Sequence, residues 1–220
     1  MSTVLISLAV NGRENYVGKS IRLEESLANF WCYDVQLYKS FPFFCTIHSD
    51  VPYKFKYDLI ERARDNGSYQ RVVWLDSSMR LPNASKDVCD LFLNNDSGII
   101  AFHNLGHPLK NYISDRALEI LEVTETDLEL MSQTWGGALG FDFSKLTANL
   151  ILNDMVKYSE AFHEGGSVRD GFVAHRHDQA VLSVLLWRYK VPLIPYGKIL
   201  GKEHLVEPFP YGVDPYIIYG

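Results

Sequence analysis

The sequence predicts an α/β fold with a mostly parallel, twisted central sheet flanked by helices, and three observations predict it. Short β-rich runs alternate with segments of helical period, the pattern of parallel strands joined by crossover helices. One run, Arg71 to Asp76, is dense in β-branched and aromatic residues and ends on an acid. Near the other end, His177 to Tyr189 is apolar almost all round, which marks a buried helix.

Taken in order, Thr3 to Ala9 reads as the first strand. The next segment places Leu23, Leu27, Phe30 and Trp31 on one helical face, with Ser20 as a candidate cap. Phe44 to His48 is expected to be the second strand, Tyr53 to Arg64 a helix, and Arg71 to Asp76 the third strand. Ser85 to Leu93 reads as a helix and Gly98 to Phe102 as a strand. The run from Ala101 to Asp115 has few apolar anchors and suits a mobile lid. Acidic helical patches follow at Ala117 to Val123 and Thr126 to Met131. After the glycine-rich TWGGALGFD, a helix shows Ala148, Ile151, Met155 and Tyr158 along one face. The loop HEGGSVRDGF leads to the buried helix. The tail, crowded with Pro, Gly and Tyr, is expected to wrap the surface without long regular elements.

The 220 residues are expected to form one domain, 1–220, whether alone or as one segment of a longer polypeptide. A net charge of −6 without clustered Lys and Arg argues against a nucleic-acid partner. Any anionic ligand must then be held by a few placed cations, helix N-termini or a metal. Cys32, Cys45 and Cys89 are odd in number and lack metal-ligand spacing, so a reducing compartment is expected. The first residues lack the basic leader of a secretory signal, and the longest apolar run, Ala180 to Trp187, is far short of the roughly 20 residues that cross a bilayer. The expectation is a cytoplasmic protein without a membrane span. The triplet Asn83-Ala84-Ser85 matches a glycosylation acceptor, but such triplets arise by chance.

Three fragments can carry chemistry. Val72 to Ser78 delivers Asp76, Ser77 and Ser78 at the carboxyl end of a strand, where ligands of open α/β sheets bind. A carboxylate there can hold a hard divalent ion whose shell is completed by substrate phosphate. A strand-end Asp that forms a turn or caps a helix explains the same residues. His175 to Gln179 sets polar groups at a helix start, beside free backbone N–H groups that suit hydroxyls or phosphate; an ordinary cap, with Asp178 favouring the helix dipole, is the alternative. Trp135 to Asp142 combines small residues with an aromatic. It suits either close approach to a sugar ring or a tight turn with a core Trp.

VVWLDSSMRL, WGGALGFD and HRHDQAVLSVLLWRY, in that order, resemble glycosyltransferases of the GT-A fold. The preceding PYKFKYDLIERARDNGSYQ strengthens the likeness, since these enzymes often carry a Lys-bearing helix before the acid-bearing strand. The resemblance spans roughly residues 3 to 205 and is nearest to small glycosyltransferases encoded by large DNA viruses of Chlorella-like green algae, which are thought to decorate capsid glycoprotein. Retaining galactosyl- and xylosyltransferases are more distantly similar.

The resemblance implies transfer of a hexose from a UDP-sugar, UDP-glucose or a related UDP-hexose, to a hydroxyl of a glycan or glycoprotein acceptor, with Mn²⁺ or Mg²⁺ as cofactor and retention of configuration. It places a DXD-type motif at Asp76-Ser77-Ser78, with Ser78 where a second carboxylate is usual, so the metal site loses one charge. Asp76, Ser78 and a late histidine, His204, are the implied metal ligands, with His175 and His177 as competing candidates; an exposed His204 without a ligand role is the plain alternative. Val10, Asn11, Gly12 and Arg13 resemble the loop that meets the nucleotide, and Lys56 a lysine near the donor; ordinary exposed cations are the plain reading of Arg13 and Lys56. Gly136, Gly137 and Ala138 would line the donor sugar. Asp178 would recognise it, and Gln179 would stabilise an oxocarbenium-like state. If the reaction inverted configuration instead, Asp142 or Asp178 would be the base. Two rival readings are a sugar nucleotidyltransferase, whose glycine-rich phosphate loop followed by Arg and Lys is missing after the first strand, and a catalytically inactive carbohydrate- or nucleotide-binding module.

Overall fold

The computed structural model describes residues 2–10, 15–27, 34–81, 88–92, 95–104, 107–195, 199–201 and 217–219. In chain order the elements are β1 (Thr3–Leu8), α1 (Tyr16–Leu27), β2 (Asp34–Tyr38), α2 (Lys54–Asp65), β3 (Arg71–Leu75), β4 (Met79–Arg80), β5 (Ile99–His103), α3 (Asp115–Leu121), α4 (Glu125–Leu128), β6 (Thr134–Asp142), α5 (Leu146–Lys157), α6 (His177–Arg188), β7 (Ile199–Gly201) and β8 (Ile217–Tyr219). Short 3-10 turns occupy Val88–Phe92, Leu109–Asn111 and Ser159–Phe162.

The main sheet has the order β2-β1-β3-β6-β5. β1 pairs in parallel with both β2 and β3, while β6 runs antiparallel to β3 and to β5. The sheet is therefore partly parallel, with β6 as the reversed strand. Side chains alternate across it with the two-residue period of a strand. Val4, Ile6, Val72, Trp74, Ile99, Leu139 and Phe141 pack on one face with the apolar residues of α2, α5 and α6. Leu5, Val73, Leu75, Ile100, Phe102 and Ala138 pack on the other with Leu23 and Leu27 of α1. Strands covered on both faces read as continuous apolar runs, as TVLISL does.

The helices on opposite faces explain the strand order. α1 carries the chain from β1 to β2 on one side, and α2 returns it over the other face to β3, on the far side of β1. The order therefore reverses between β1 and β3, and the crevice beyond their carboxyl ends is the place where such sheets bind ligands. Val10 and Asp76 sit at those two strand ends.

Every residue of α6 from Ala180 to Leu186 is buried, as its all-round apolarity requires. Its one hydroxyl there, Ser183, donates to the Gln179 carbonyl (2.6 Å) and accepts from the Thr134 N–H (2.9 Å), which fixes α6 against the start of β6.

Several expectations are corrected. Phe44 to His48 is not a strand. Cys45 N–H closes a turn on Pro42, and Thr46 N–H donates to the Asp58 carboxylate (2.7 Å), so local partners replace a ladder. The second strand is Asp34–Tyr38. Ser20 lies inside α1, not at its start, and donates back to Val17; the helix begins four residues earlier, with Asn15 Oδ1 accepting the Gly18 N–H. Phe30 and Trp31 lie outside the described residues. Of Ser85 to Leu93, the described part is the 3-10 turn Val88–Phe92. TWGGALGFD is not a tight turn but the nine-residue strand β6. The run proposed as a mobile lid is anchored within its described part by the buried Leu109 and Ile113, and the Asn111 carbonyl accepts the Val173 N–H. The tail pairs back through β7 and β8, and β8 lies antiparallel to β4, just beyond Ser78. Among the described residues, no helix is long and apolar enough to cross a membrane.

Candidate functional site

Asp76 leaves the end of β3 with its backbone held on both sides. Its N–H donates to the Gly137 carbonyl (2.8 Å), and its own carbonyl accepts the Met79 N–H (2.9 Å). Trp74, two residues earlier and so on the same face of the strand, donates its indole N–H to Asp76 Oδ1 at 2.8 Å. That bond fixes the carboxylate's orientation. Burial raises the Asp76 carboxyl above the usual carboxylate value, while the Lys56 ammonium and the Trp74 indole pull it down.

The glycines of β6 shape the opposite wall. Ile100 faces Gly140 and Phe102 faces Trp135, so two steps along β5 answer five along β6, and the register breaks there. In this irregular stretch the Gly136 carbonyl accepts the Lys56 ammonium at 2.8 Å. A Cβ on Gly136 would lie 2.7 Å from Gln179 Cγ, so the absence of a side chain lets Gln179 settle against the strand.

Two helix starts converge on the same place. From the first turns of α2, Lys56 donates to Asp178 Oδ2 (2.8 Å) and Tyr57 donates to the same oxygen (3.1 Å). Lys56 and Asp178 are only 3 % exposed each, an ion pair almost sealed from water. Burial pushes the Lys56 ammonium towards neutrality, but the carboxylates of Asp178 and Asp76 outweigh it and hold its pKa above the ordinary lysine value. Lys56 thus pairs directly with Asp178 and also feels the charge of Asp76, a mixed-charge cluster. Burial and Asp178 raise Tyr57 well above its usual value, so it stays a neutral donor.

Two cavities open around this cluster. One, of about 260 Å³, is polar and is lined by Tyr53, Lys56, Asp76, Gly136, Asp178 and Gln179 together with residues 174–177. The other, of about 560 Å³, is walled by Leu8, Val10, Phe41, Phe55 and Trp74, with Lys19, Ser77 and Ser78 at its polar side. Tyr53 and Asp76 line both.

Val10, Lys56, Asp76, Ser77, Ser78, Gly136, Asp178 and Gln179 line one or the other of these two cavities. Lys56 is a buried, paired cation, not an exposed one. Gly137 and Ala138 line neither cavity. Ala138 packs in the core, and a Cβ on Gly137 would meet Trp135 and Met79. His175 does not suit a metal ligand. Its Nδ1 accepts the Ser114 N–H (3.2 Å) and its Nε2–H donates to the Ala161 carbonyl (2.9 Å), so both nitrogens are engaged by backbone. Asp142 is corrected as a base candidate: it sits at the far end of β6 from the cavities, bonded to Arg71, Gln70 and Ser144. Asn11, Gly12, Arg13 and His204 lie outside the described residues.

Tyr53, Tyr57 and His48 escaped the sequence reading. The signal for the tyrosines was their spacing around Lys56 on one helix start; for His48 there was none, because its contact with Tyr53 depends on the loop. Among the described residues, no three His, Cys, Asp or Glu side chains cluster as a metal site would. A scan against protein-family models finds no match for this chain, and a search of curated proteins finds no relative.

Proposed function

We propose that the chain is a GT-A type glycosyltransferase that moves a hexose from a UDP-sugar to an acceptor hydroxyl. The observation that carries the reading is the pair of unlike cavities meeting at Asp76, at the point where the strand order reverses. The larger has an aromatic and aliphatic wall with Lys19, Asp76, Ser77 and Ser78 at its polar side, as a nucleoside diphosphate requires; the smaller is lined mostly by hydrogen-bonding groups, as a sugar requires. A nucleoside diphosphate sugar has the same two ends joined by a charged link.

Asp76, with Ser77 and Ser78 beside it, would hold a divalent ion, Mn²⁺ or Mg²⁺, that supplies charge neutralisation for the leaving diphosphate. A lone carboxylate with hydroxyls fits an ion whose remaining ligands are phosphate oxygens. Lys56 serves the protein first. It neutralises Asp178 and Asp76 within one buried cluster and orders the floor on which a sugar would rest. Gln179, fitted against Gly136, presents a neutral amide to the same cavity, and His177 adds a ring nitrogen.

Calorimetry with UDP, with and without MnCl₂, tests the reading. Metal-dependent binding is expected, together with slow hydrolysis of at least one member of a UDP-sugar panel. Asp76→Ala should abolish the metal-dependent part. A chain that ignores UDP in both conditions is not this enzyme.

A further inference from the structure

Four non-glycine residues among those described have a left-handed backbone: Tyr53 (φ 61°), Glu122 (53°), His177 (44°) and Lys190 (54°). Two are ordinary. Glu122 and Lys190 follow α3 and α6, where the conformation closes the helix: Val123 N–H bonds back to Leu118, and Val191 N–H to Leu186. Tyr53 and His177 stand at the opposite ends, at the entrances of α2 and α6, where helix termination does not call for it. For bulky side chains this backbone is costly and persists only when the surroundings enforce it.

The surroundings do enforce it, and they do so at one place. The Tyr53 and His177 rings face each other with centroids 5.4 Å apart. Tyr53 N–H donates to His48 Nδ1 (3.2 Å), and the His48 ring stands edge-on to the phenol ring at 4.6 Å. His177 Nδ1–H donates to the Phe162 carbonyl (2.8 Å), which fixes the orientation of the ring. Lys56 Nζ lies 5.8 Å from the Tyr53 ring centre. Besides Asp76, Tyr53 is the residue common to the linings of both cavities. A ligand that fills both would lie against Tyr53 and Asp76 where the two cavities share their lining.

We propose that Tyr53, set by His48 and paired with His177, is a positioning residue that contacts a nucleoside diphosphate sugar where its glycosyl group joins the diphosphate. The inference rests on the functional reading above. The phenol ring offers an apolar face to the sugar and forces the ligand to bend from one cavity into the other. The backbone strain is the cost of holding the ring in that passage.

The test compares Tyr53→Phe, Tyr53→Gly and Tyr53→Asn with the unsubstituted chain, using UDP and UDP-glucose with MnCl₂. Glycine and asparagine both tolerate the left-handed conformation, so a variant that fails to fold has a substitute. Tyr53→Gly and Tyr53→Asn are expected to melt no lower than the unsubstituted chain and to lose less in UDP affinity than in kcat/KM. Their kcat/KM for UDP-glucose hydrolysis should fall on the order of tenfold to a hundredfold. Tyr53→Phe, which keeps the ring, should lose less kcat/KM than the glycine and asparagine variants, and a loss as large as theirs overturns the role given to the ring. Undiminished hydrolysis by the glycine and asparagine variants overturns the inference, as does a loss of Tm that parallels the loss of activity. Failure of the unsubstituted chain to bind either compound overturns the functional reading, and the role of Tyr53 with it.

Discussion

His175 and Lys56 are both buried ionisable residues, and their partners give them opposite behaviour. Burial pulls the His175 imidazole down from its ordinary 6.5 to about 4, with the Ala161 carbonyl opposing and His177 adding to the fall. The folded chain therefore prefers the neutral ring. The stability this contributes is complete above pH 6.5 and is lost progressively as the pH falls towards 4, about 3 kcal/mol over that span. Urea midpoints measured across the interval should show the slope, and His175→Asn should flatten it. An unchanged slope in the variant would place the titrating group elsewhere. Asp115 and Asp142, whose carboxyls are held below 3.8, lose their contributions only at still lower pH, so the windows are separate. Lys56 behaves the other way: its stabilisation is present below the ordinary lysine value and is lost only as alkaline pH rises through its raised one. Lys56→Met leaves the buried Asp178 with Tyr57 as its remaining donor and is expected to cost about 3–5 kcal/mol in urea denaturation. A cost near zero would mean that water reaches the pair.

Among the elements, β6 carries most of the information that the sequence concealed. Its glycines read equally well as a close approach to a ligand or as a tight turn, because a fragment's composition does not say which strands will lie beside it. In place, Gly140 sits against Ile100 and Phe92, where an added Cβ would come within 2.8 Å of three heavy atoms. Gly140→Ala is expected to destabilise the chain by about 1–3 kcal/mol through overpacking, again read from urea denaturation. Unaltered stability would show that β5 can yield at that point. Gly136→Ala differs because the atoms it meets, Cγ, Cδ and Nε2, all belong to one unbranched side chain, that of Gln179. Gln179 can swing away, so transfer should fall while stability changes by less than in Gly140→Ala. α6 was the most legible helix, its apolar residues leaving no solvent face to mistake. Phe44 to His48 was misread for the converse reason: a short run of aromatic, β-branched and small apolar residues is common to a strand and to a loop packed beside a helix.

At the scale of the molecule, each half of the candidate site depends on a crossover. The larger cavity needs β1 and β3 side by side, and the smaller needs the starts of α2 and α6 brought together over β6. A ligand that binds only this assembled state must stabilise the whole fold. UDP with Mn²⁺ at about a hundred times its Kd is expected to add about 2.7 kcal/mol. A thermal melt checks this, with Asp76→Ala as the control that should show no shift. A shift that persists in the variant would remove Asp76 from the nucleotide site.

The sequence by itself determined the α/β class, the first and third strands, the helix over Lys56, the buried terminal helix and the acid at the end of β3. Each is written in a local period or in residues a few positions apart. Only the tertiary structure decided that β6 is a reversed strand, that Lys56 pairs with Asp178, 122 positions away, and that Tyr53 meets His177 across a cavity. It also relegated Asp142 and His175 to structural duties. The reason is physical: burial and charge pairing are properties of neighbours in space, and crossovers bring together residues that no sequence window contains.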